Sequence, residues 1–152
     1  MNRFSVRIER LAPMRVASIR VVSETPEADA WQKLAAWAKP KGLLNDFSKH
    51  PVFGFNNPGP TEGQKQYGYE FWIRVEPDVA ADGSVEIKEV PGGRFAVLTH
   101  DGYPTPEVWK QLWEWVQRSE YRWRKSHELE QNRNPLGPGE RAIFDLYLPI
   151  EN

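Results

Sequence analysis

Apolar and polar side chains alternate along two neighbouring stretches at the start of the chain. Phe4, Val6 and Ile8 alternate with polar residues, and residues 16–21 repeat the alternation after Pro13. A period of two residues is typical of a strand with one buried face, because successive side chains point to opposite sides. Since proline gives no backbone donor to a sheet, we predict a strand that is interrupted near residues 12–13.

A helical pattern follows this strand. Thr25 precedes Pro26, a residue that is tolerated in a first helical turn, and the apolar residues after it recur at intervals of three and four. The apolar positions are Trp31, Leu34, Ala35 and Ala38. We predict a helix that ends before Pro40 and Gly42, with its tryptophans packed in the core.

Two more strands complete the first part of the chain. Residues 52–55 and 67–75 are rich in aromatic and β-branched residues. The segment between them begins Asn-Asn-Pro-Gly-Pro at residues 56–60, which is typical of a turn. The predicted order of elements is therefore β-α-β-β.

The rest of the chain repeats this order. The two copies are 79 residues apart near residue 6 and 75 residues apart near residue 69, as expected if single loop residues were lost. The second copy predicts a strand bent at Pro91-Gly92-Gly93, a helix and two strands. Their predicted ranges are 85–100, 106–118, 128–132 and 142–150.

This repeat predicts one α+β domain made of two pseudo-symmetric halves, about residues 1–78 and 82–152. Each half would form an antiparallel sheet, with the two helices packed on the outside. We expect a ligand cleft between the halves, because such a seam offers concave surface.

Composition narrows the functional classes. The 152 residues fit one compact domain, and 20 Lys+Arg against 21 Asp+Glu give a net charge of −1. Because no basic stripe breaks this balance except residues 118–125, we expect no nucleic-acid partner. The absence of cysteine excludes disulfides and thiolate sites, and the three histidines lack a metal-site spacing. We therefore expect no metal and no other cofactor.

The chain also lacks the signals of export and of membrane insertion. No run approaches the roughly 20 apolar residues of a membrane span. Residues 1–6 contain no apolar core of an export signal. We expect a cytoplasmic protein without a membrane partner.

The strand over residues 67–75 has one apolar face and one mixed face. The mixed face carries Glu70 and Trp72, and an offset of 75 relates Trp72 to Tyr147. An offset of 77 relates Phe53 to Glu130. Aromatic faces attract cations, so a cleft that combines these side chains suits flat, lipophilic, cationic molecules. The predicted lining residues are Phe53, Phe55, Glu70, Trp72, Glu130 and Tyr147.

Three candidates also fit an ordinary structural role. Glu70 could pair with Arg74 on its own strand, and Trp113 fits either helix packing or ligand contact. His100 precedes Asp101, but no serine or cysteine nucleophile accompanies it, and adjacent strand residues point to opposite faces. We retain His100 and Trp113 as candidate ligand contacts and expect no catalytic triad.

Several motifs together resemble a known family. They are Val85-x-Ile87-x-x-Val90-Pro91-x-Gly93-Arg94-Phe95-Ala96-Val97, His100-x-Gly102, Trp115, Glu130 and Phe144-Asp145-Leu146-Tyr147-Leu148-Pro149-Ile150. With residues 54–58 and 67–72 they resemble the GyrI-like small-molecule-binding domain over nearly the whole chain. This domain is also the effector-binding module of multidrug-responsive transcription regulators.

The resemblance implies a tandem β-α-β-β fold with a ligand cleft between two sheets. It also implies an acidic residue on the penultimate strand, matched by Glu130, and an aromatic residue on the last strand, matched by Tyr147. Asn132 stands where the family often has an aromatic residue.

Three functional classes follow. The first is a cytoplasmic protein that binds small lipophilic, aromatic and preferably cationic molecules, for sensing or sequestration. The second is a hydrolase of reactive small molecules, in which burial would raise the pKa of Glu130 and let it act as a general acid or base. The third is a protein-interaction module like the gyrase inhibitor that gives the family its name. We expect binding without catalysis, with a small molecule as the main partner.

Overall fold

The computed structural model describes residues 4–83 and 85–152. Two helices, α1 (Pro26–Ala38) and α2 (Pro106–Arg118), combine with antiparallel strands and confirm the predicted α+β class. Among the described residues, no helix has both the length and the apolar character needed to cross a bilayer. The strands are β1 (Val6–Leu11), β2 (Met14–Ser23), β3 (Val52–Asn56), β4 (Tyr67–Arg74), β5 (Glu86–Val90), β6 (Gly93–Asp101), β7 (Leu129–Asn132) and β8 (Ile143–Ile150).

The chain forms two compact units. The central unit is Met14–Val90, and the terminal unit combines residues 4–13 with residues 91–152. These boundaries differ from the predicted halves, 1–78 and 82–152, by one strand each. β1 belongs to the terminal unit and β5 belongs to the central unit.

In the central unit the strands lie in the order β3-β4-β2-β5, and all neighbours are antiparallel. Helix α1 covers one face of this sheet and buries Ala30, Leu34 and Ala38 against it. These three residues are four apart, which places them on one side of a helix. Gly42 then ends the helical segment with a positive φ of 73°, a conformation that glycine adopts without steric cost.

In the terminal unit the order is β1-β6-β8-β7, again antiparallel throughout. Helix α2 begins at a capped end, because the backbone N–H of Val108 donates to the side-chain oxygen of Thr105 at 3.3 Å. The helix buries Leu112 and Val116 against the even-numbered residues of β8. The two units therefore repeat one plan, a sheet with one face covered by a helix.

The predicted bent strand over residues 85–100 is two strands. β5 ends at Val90 and pairs with β2, whereas β6 begins at Gly93 and pairs with β1. The interruption near residues 12–13 is likewise a boundary between units. The proline in each break ends the ladder, so the chain leaves one unit and enters the other.

Candidate functional site

Four of the predicted site residues meet on the helix-free face of the central sheet. Phe53 pairs with Trp72, and Phe55 pairs with Glu70, so all four side chains point to the same side. Each is at most 7% exposed. The rings of Phe55 and Trp72 meet edge to face with centroids 4.9 Å apart. We call this surface the Glu70 face, defined by Phe53, Phe55, Glu70, Trp72 and Lys88.

Glu70 is the chemical centre of this face. Its Oε2 accepts hydrogen bonds from Ser18 Oγ at 2.7 Å, Trp72 Nε1 at 2.7 Å and Lys88 Nζ at 2.8 Å. Its Oε1 accepts from Asn57 Nδ2 at 3.0 Å. The carboxylate is thus fully surrounded by donors, as a buried charge requires.

These donors keep Glu70 ionised. Burial by itself would raise the pKa of this carboxyl, but hydrogen bonds from Lys88, Ser18, Trp72 and Asn57 outweigh it and lower the pKa to about 2. Glu70 therefore carries a negative charge at every physiological pH.

Lys88 neutralises that charge from β5, the edge strand of the central sheet. Its side chain is 37% exposed, whereas that of Glu70 is 3% exposed. The ammonium also lies 4.0 Å from the exposed carboxylate of Glu86. Lys88 thus connects the buried carboxylate with solvent through one flexible stem.

The loop between β3 and β4 positions Asn57 beside Glu70. The backbone N–H of Asn57 donates to Gly68 O at 2.8 Å, and the N–H of Gly68 donates to Pro58 O at 2.7 Å. A Cβ at position 68 would lie 1.9 Å from the carbonyl oxygen of Asn57. Only glycine lets the loop approach β4 this closely.

The terminal unit carries an equivalent carboxylate, Asp145, on its own helix-free face. Arg133 donates to both of its oxygens, at 2.9 Å and 3.0 Å, and Thr99 Oγ1 donates at 2.5 Å. Arg7 Nη2 lies 3.3 Å away and also pairs with Glu9. Burial opposes ionisation of Asp145, but the hydrogen bonds from Arg133 and Thr99 lower its pKa below the usual value.

Tyr147 lies on the same face as Asp145, as the repeat predicts. Its hydroxyl donates to Gln131 Oε1 at 2.9 Å, and its ring meets Phe95 edge to face at 5.6 Å. Burial, together with the nearby charges of Glu9 and Asp145, raises the pKa of its hydroxyl. Tyr147 therefore stays neutral.

Glu130 lies on the opposite face of the terminal sheet. It pairs with Leu146, while Leu129 pairs with Tyr147. Its Oε2 accepts from Trp109 Nε1 on α2 at 3.1 Å. The offset between β3 and β7 is thus 76, not 77, so Leu129 is the counterpart of Phe53. A register difference of one residue moves a side chain to the other face, and the structure does not bring Glu130 together with Tyr147.

Trp113 and His100 also lie on the helix-covered side of the terminal unit. Trp113 packs with the core beneath α2. His100 is opposite Phe144, whose side chain belongs to the same core. The predicted residues therefore occupy three places: the Glu70 face, the face of Tyr147, and the α2 side of the terminal unit.

The sequence analysis missed Ser18, Asn57 and Lys88. Ser18 is opposite Trp72 in the register, a pairing that a correct alignment of β2 with β4 would have given. Lys88 was hidden because β5 was expected to continue into β6. Within residues 4–83 and 85–152, no group of three or more potential ligands could hold a metal ion.

The family model of the GyrI-like small-molecule-binding domain matches residues 4–151. This chain belongs to the GyrI-like family. No curated protein sequence matches it.

Solved structures of other GyrI-like proteins share the fold. The EcmrR C-terminal domain is 13% identical, with a TM-score of 0.73 and 99% of both chains covered. This chain spans 58% of the longer EcmrR chain solved with DNA, at the same identity and TM-score and with 98% of this chain covered.

Two further structures are similar. SAV2435, bound to tetraphenylphosphonium, is 17% identical with a TM-score of 0.53, covering 97% of this chain and 94% of that one. A hydrolase from Listeria innocua is 13% identical with a TM-score of 0.69, covering 96% and 91%.

Proposed function

We propose that this GyrI-like protein captures small, lipophilic, aromatic cations in the cytoplasm, and that the Glu70 face forms part of the binding site. The observation that carries the proposal is the contact between Lys88 and Glu70. A buried carboxylate with aromatic neighbours already holds an ammonium group there, at 2.8 Å. A ligand cation that displaces Lys88 meets the same carboxylate.

The aromatic neighbours give this place its preference for flat, lipophilic cations. Aromatic rings attract cations by roughly 0.5–2 kcal/mol each, and more when water is excluded. Phe55 and Trp72 contact each other beside the carboxylate, and Trp72 also donates its indole N–H to it. The SAV2435 complex with tetraphenylphosphonium supports the same ligand class for a protein of this fold.

The equivalent carboxylate in the terminal unit is less suited to exchange. Asp145 is held by the two-point contact of Arg133 and by Arg7. A bidentate guanidinium is a stronger and more rigid partner than one ammonium on a flexible stem. We therefore assign the exchangeable cation position to Glu70 and Lys88, and we retain Tyr147 as a candidate contact for the uncharged part of the ligand.

The test compares tetraphenylphosphonium with tetraphenylborate, which has nearly the same shape and the opposite charge. Glu70→Gln is expected to weaken the cation by about tenfold or more while leaving the anion unweakened, because it removes the charge but keeps the shape. Glu89→Gln is the control, since Glu89 is 72% exposed on the same unit. Equal effects of both variants on the cation would contradict the proposal.

A double variant keeps this test valid if Glu70→Gln alone fails to fold. Glu70→Gln combined with Lys88→Met removes both charges of the pair, so that no buried charge is left without a partner. We expect this variant to fold and to lose the preference for the cation. A retained preference would place the cation elsewhere.

A second candidate function is hydrolysis of a small molecule by Glu130. The similar fold of the Listeria innocua hydrolase favours it. Incubation with p-nitrophenyl butyrate and comparison with Glu130→Gln separates the two functions. The binding proposal predicts no turnover that depends on Glu130.

A further inference from the structure

A cavity of about 400 Å³ lies in the terminal unit beside α2. Its size falls within the range of about 300–1,000 Å³ that small-molecule sites occupy. Trp109 and Trp113 line it from α2, Trp123 lines it from the segment before β7, and buried Leu148 lies among them. Glu128 and Lys110 complete the lining used here. We call it the indole cavity, and it contains no residue of the Glu70 face.

The three indole rings are held in place by other parts of the unit. Trp109 Nε1 donates to Glu130 Oε2 at 3.1 Å. The backbone of Trp123 forms a bridge with Ile150 at the end of β8. Trp113 meets Trp123 edge to face, with centroids 5.9 Å apart and planes at 74°. Rigid walls reduce the ordering cost of binding, so the indole cavity is prepared for a ligand.

Charge decides which ligand fits. Three indoles present electron-rich faces that attract cations, and indole is the strongest of the aromatic side chains in this respect. Glu128 adds a carboxylate, and partial loss of water raises its pKa above the usual value. A bound cation would compensate this carboxylate. Lys110, the cationic side chain of the lining, would oppose the same ligand.

We propose that the indole cavity is a second binding site, separate from the Glu70 face, and that it takes aromatic quaternary ammonium compounds. A quaternary ammonium has no N–H to satisfy, so contacts with indole faces and one carboxylate meet its needs. The three tryptophans provide the apolar area for the aromatic ring of the ligand, while Glu128 selects its charge.

The test uses phenyltrimethylammonium and its uncharged isostere tert-butylbenzene. Each tryptophan gives its own indole N–H signal in a ¹⁵N-correlated NMR spectrum, and single tryptophan-to-phenylalanine variants assign the signals. We expect phenyltrimethylammonium to shift the signals of Trp109, Trp113 and Trp123 saturably, and to bind more tightly than tert-butylbenzene. Absence of saturable shifts at these three signals, or equal affinity for the two compounds, would overturn the proposal.

Charge variants sharpen the test in both directions. Glu128→Gln should weaken phenyltrimethylammonium by about fivefold to tenfold, and Lys110→Met should strengthen it, whereas tert-butylbenzene should respond to neither. Glu107→Gln, an exposed acid in the first turn of α2, is the control and should change nothing. An unchanged affinity in Glu128→Gln would overturn the role of Glu128.

The signal of Trp72 separates this proposal from the proposed function. Trp72 belongs to the Glu70 face, so a shift confined to its indole signal would support the Glu70 face and overturn the second site. Shifts confined to the indole cavity, unaffected by Glu70→Gln, would support the second site and count against the Glu70 face.

Discussion

Glu70 remains charged inside the protein because four donors replace the water that burial removes. Asp145 occupies the equivalent position of the repeat and is held by arginines instead of a lysine. The difference in partner is chemically important, since an ammonium on a four-carbon stem can leave more readily than a forked guanidinium. The two carboxylates therefore have different roles in our account.

The lowered pKa of Glu70 predicts a pH dependence of stability. With a folded pKa of about 2 against a usual 4.5, its contribution to stability is present above pH 4.5 and is lost as the pH falls towards 2. The contribution is on the order of 2–3 kcal/mol at neutral pH, from the size of the shift. Urea unfolding of the wild type and Glu70→Gln at pH 7 and pH 3 measures it. We expect the difference in unfolding free energy to shrink at pH 3.

Asp145 titrates in the same direction, but it is present in both proteins and cancels in this comparison. A difference between wild type and Glu70→Gln that stays constant from pH 7 to pH 3 would contradict the ionised state assigned to Glu70.

Lys88 competes with any ligand cation for Glu70. Lys88→Met keeps the apolar stem and removes the charge, so we expect tetraphenylphosphonium to bind several-fold more tightly, roughly 0.5–1.5 kcal/mol. Isothermal titration calorimetry measures the change. Lys49→Met is the control, because Lys49 lies 3.7 Å from exposed Glu76 and away from the Glu70 contacts. Equal affinities in the wild type and Lys88→Met would rule out competition by Lys88.

At the scale of elements, the loop between β3 and β4 places Asn57 on Glu70. Gly68→Ala would put a Cβ 1.9 Å from the Asn57 carbonyl oxygen, so the loop must shift. We expect a loss of about 1–3 kcal/mol in unfolding free energy. Gly59→Ala in the same loop meets no atom closer than 3.9 Å and should change stability by less than about 0.5 kcal/mol. Similar urea midpoints for the two variants would show that the close approach at Gly68 is not needed.

Strand register explains where the predicted site was right and where it was not. Phe53, Phe55, Glu70 and Trp72 were predicted correctly as neighbours, because they lie on two adjacent strands whose alternation is clear. Glu130 was matched to Phe53 by an offset that is one residue too long. In a sheet an error of one residue changes the face, and the pattern of β7 is too short to correct it.

At the scale of the whole molecule, the sequence predicted both helices and the ends of most strands to within one or two residues. Clear periods and strong breakers, such as Pro26 and Thr105-Pro106, account for this success. The exchange of β1 and β5 between units was not predicted. Because the two strands are copies of one another, their patterns fit either sheet equally well, and only the pairings of Leu11 with Gly93 and Met14 with Val90 decide.

The most direct test of the central claim, that this protein binds lipophilic cations through a buried carboxylate, is calorimetric titration of the wild type with tetraphenylphosphonium and tetraphenylborate. The two ions match in size and shape, so a difference in affinity reports charge. We expect saturable binding of the phosphonium, with the borate at least about tenfold weaker. Equal affinities, or no binding of the phosphonium, would contradict the account.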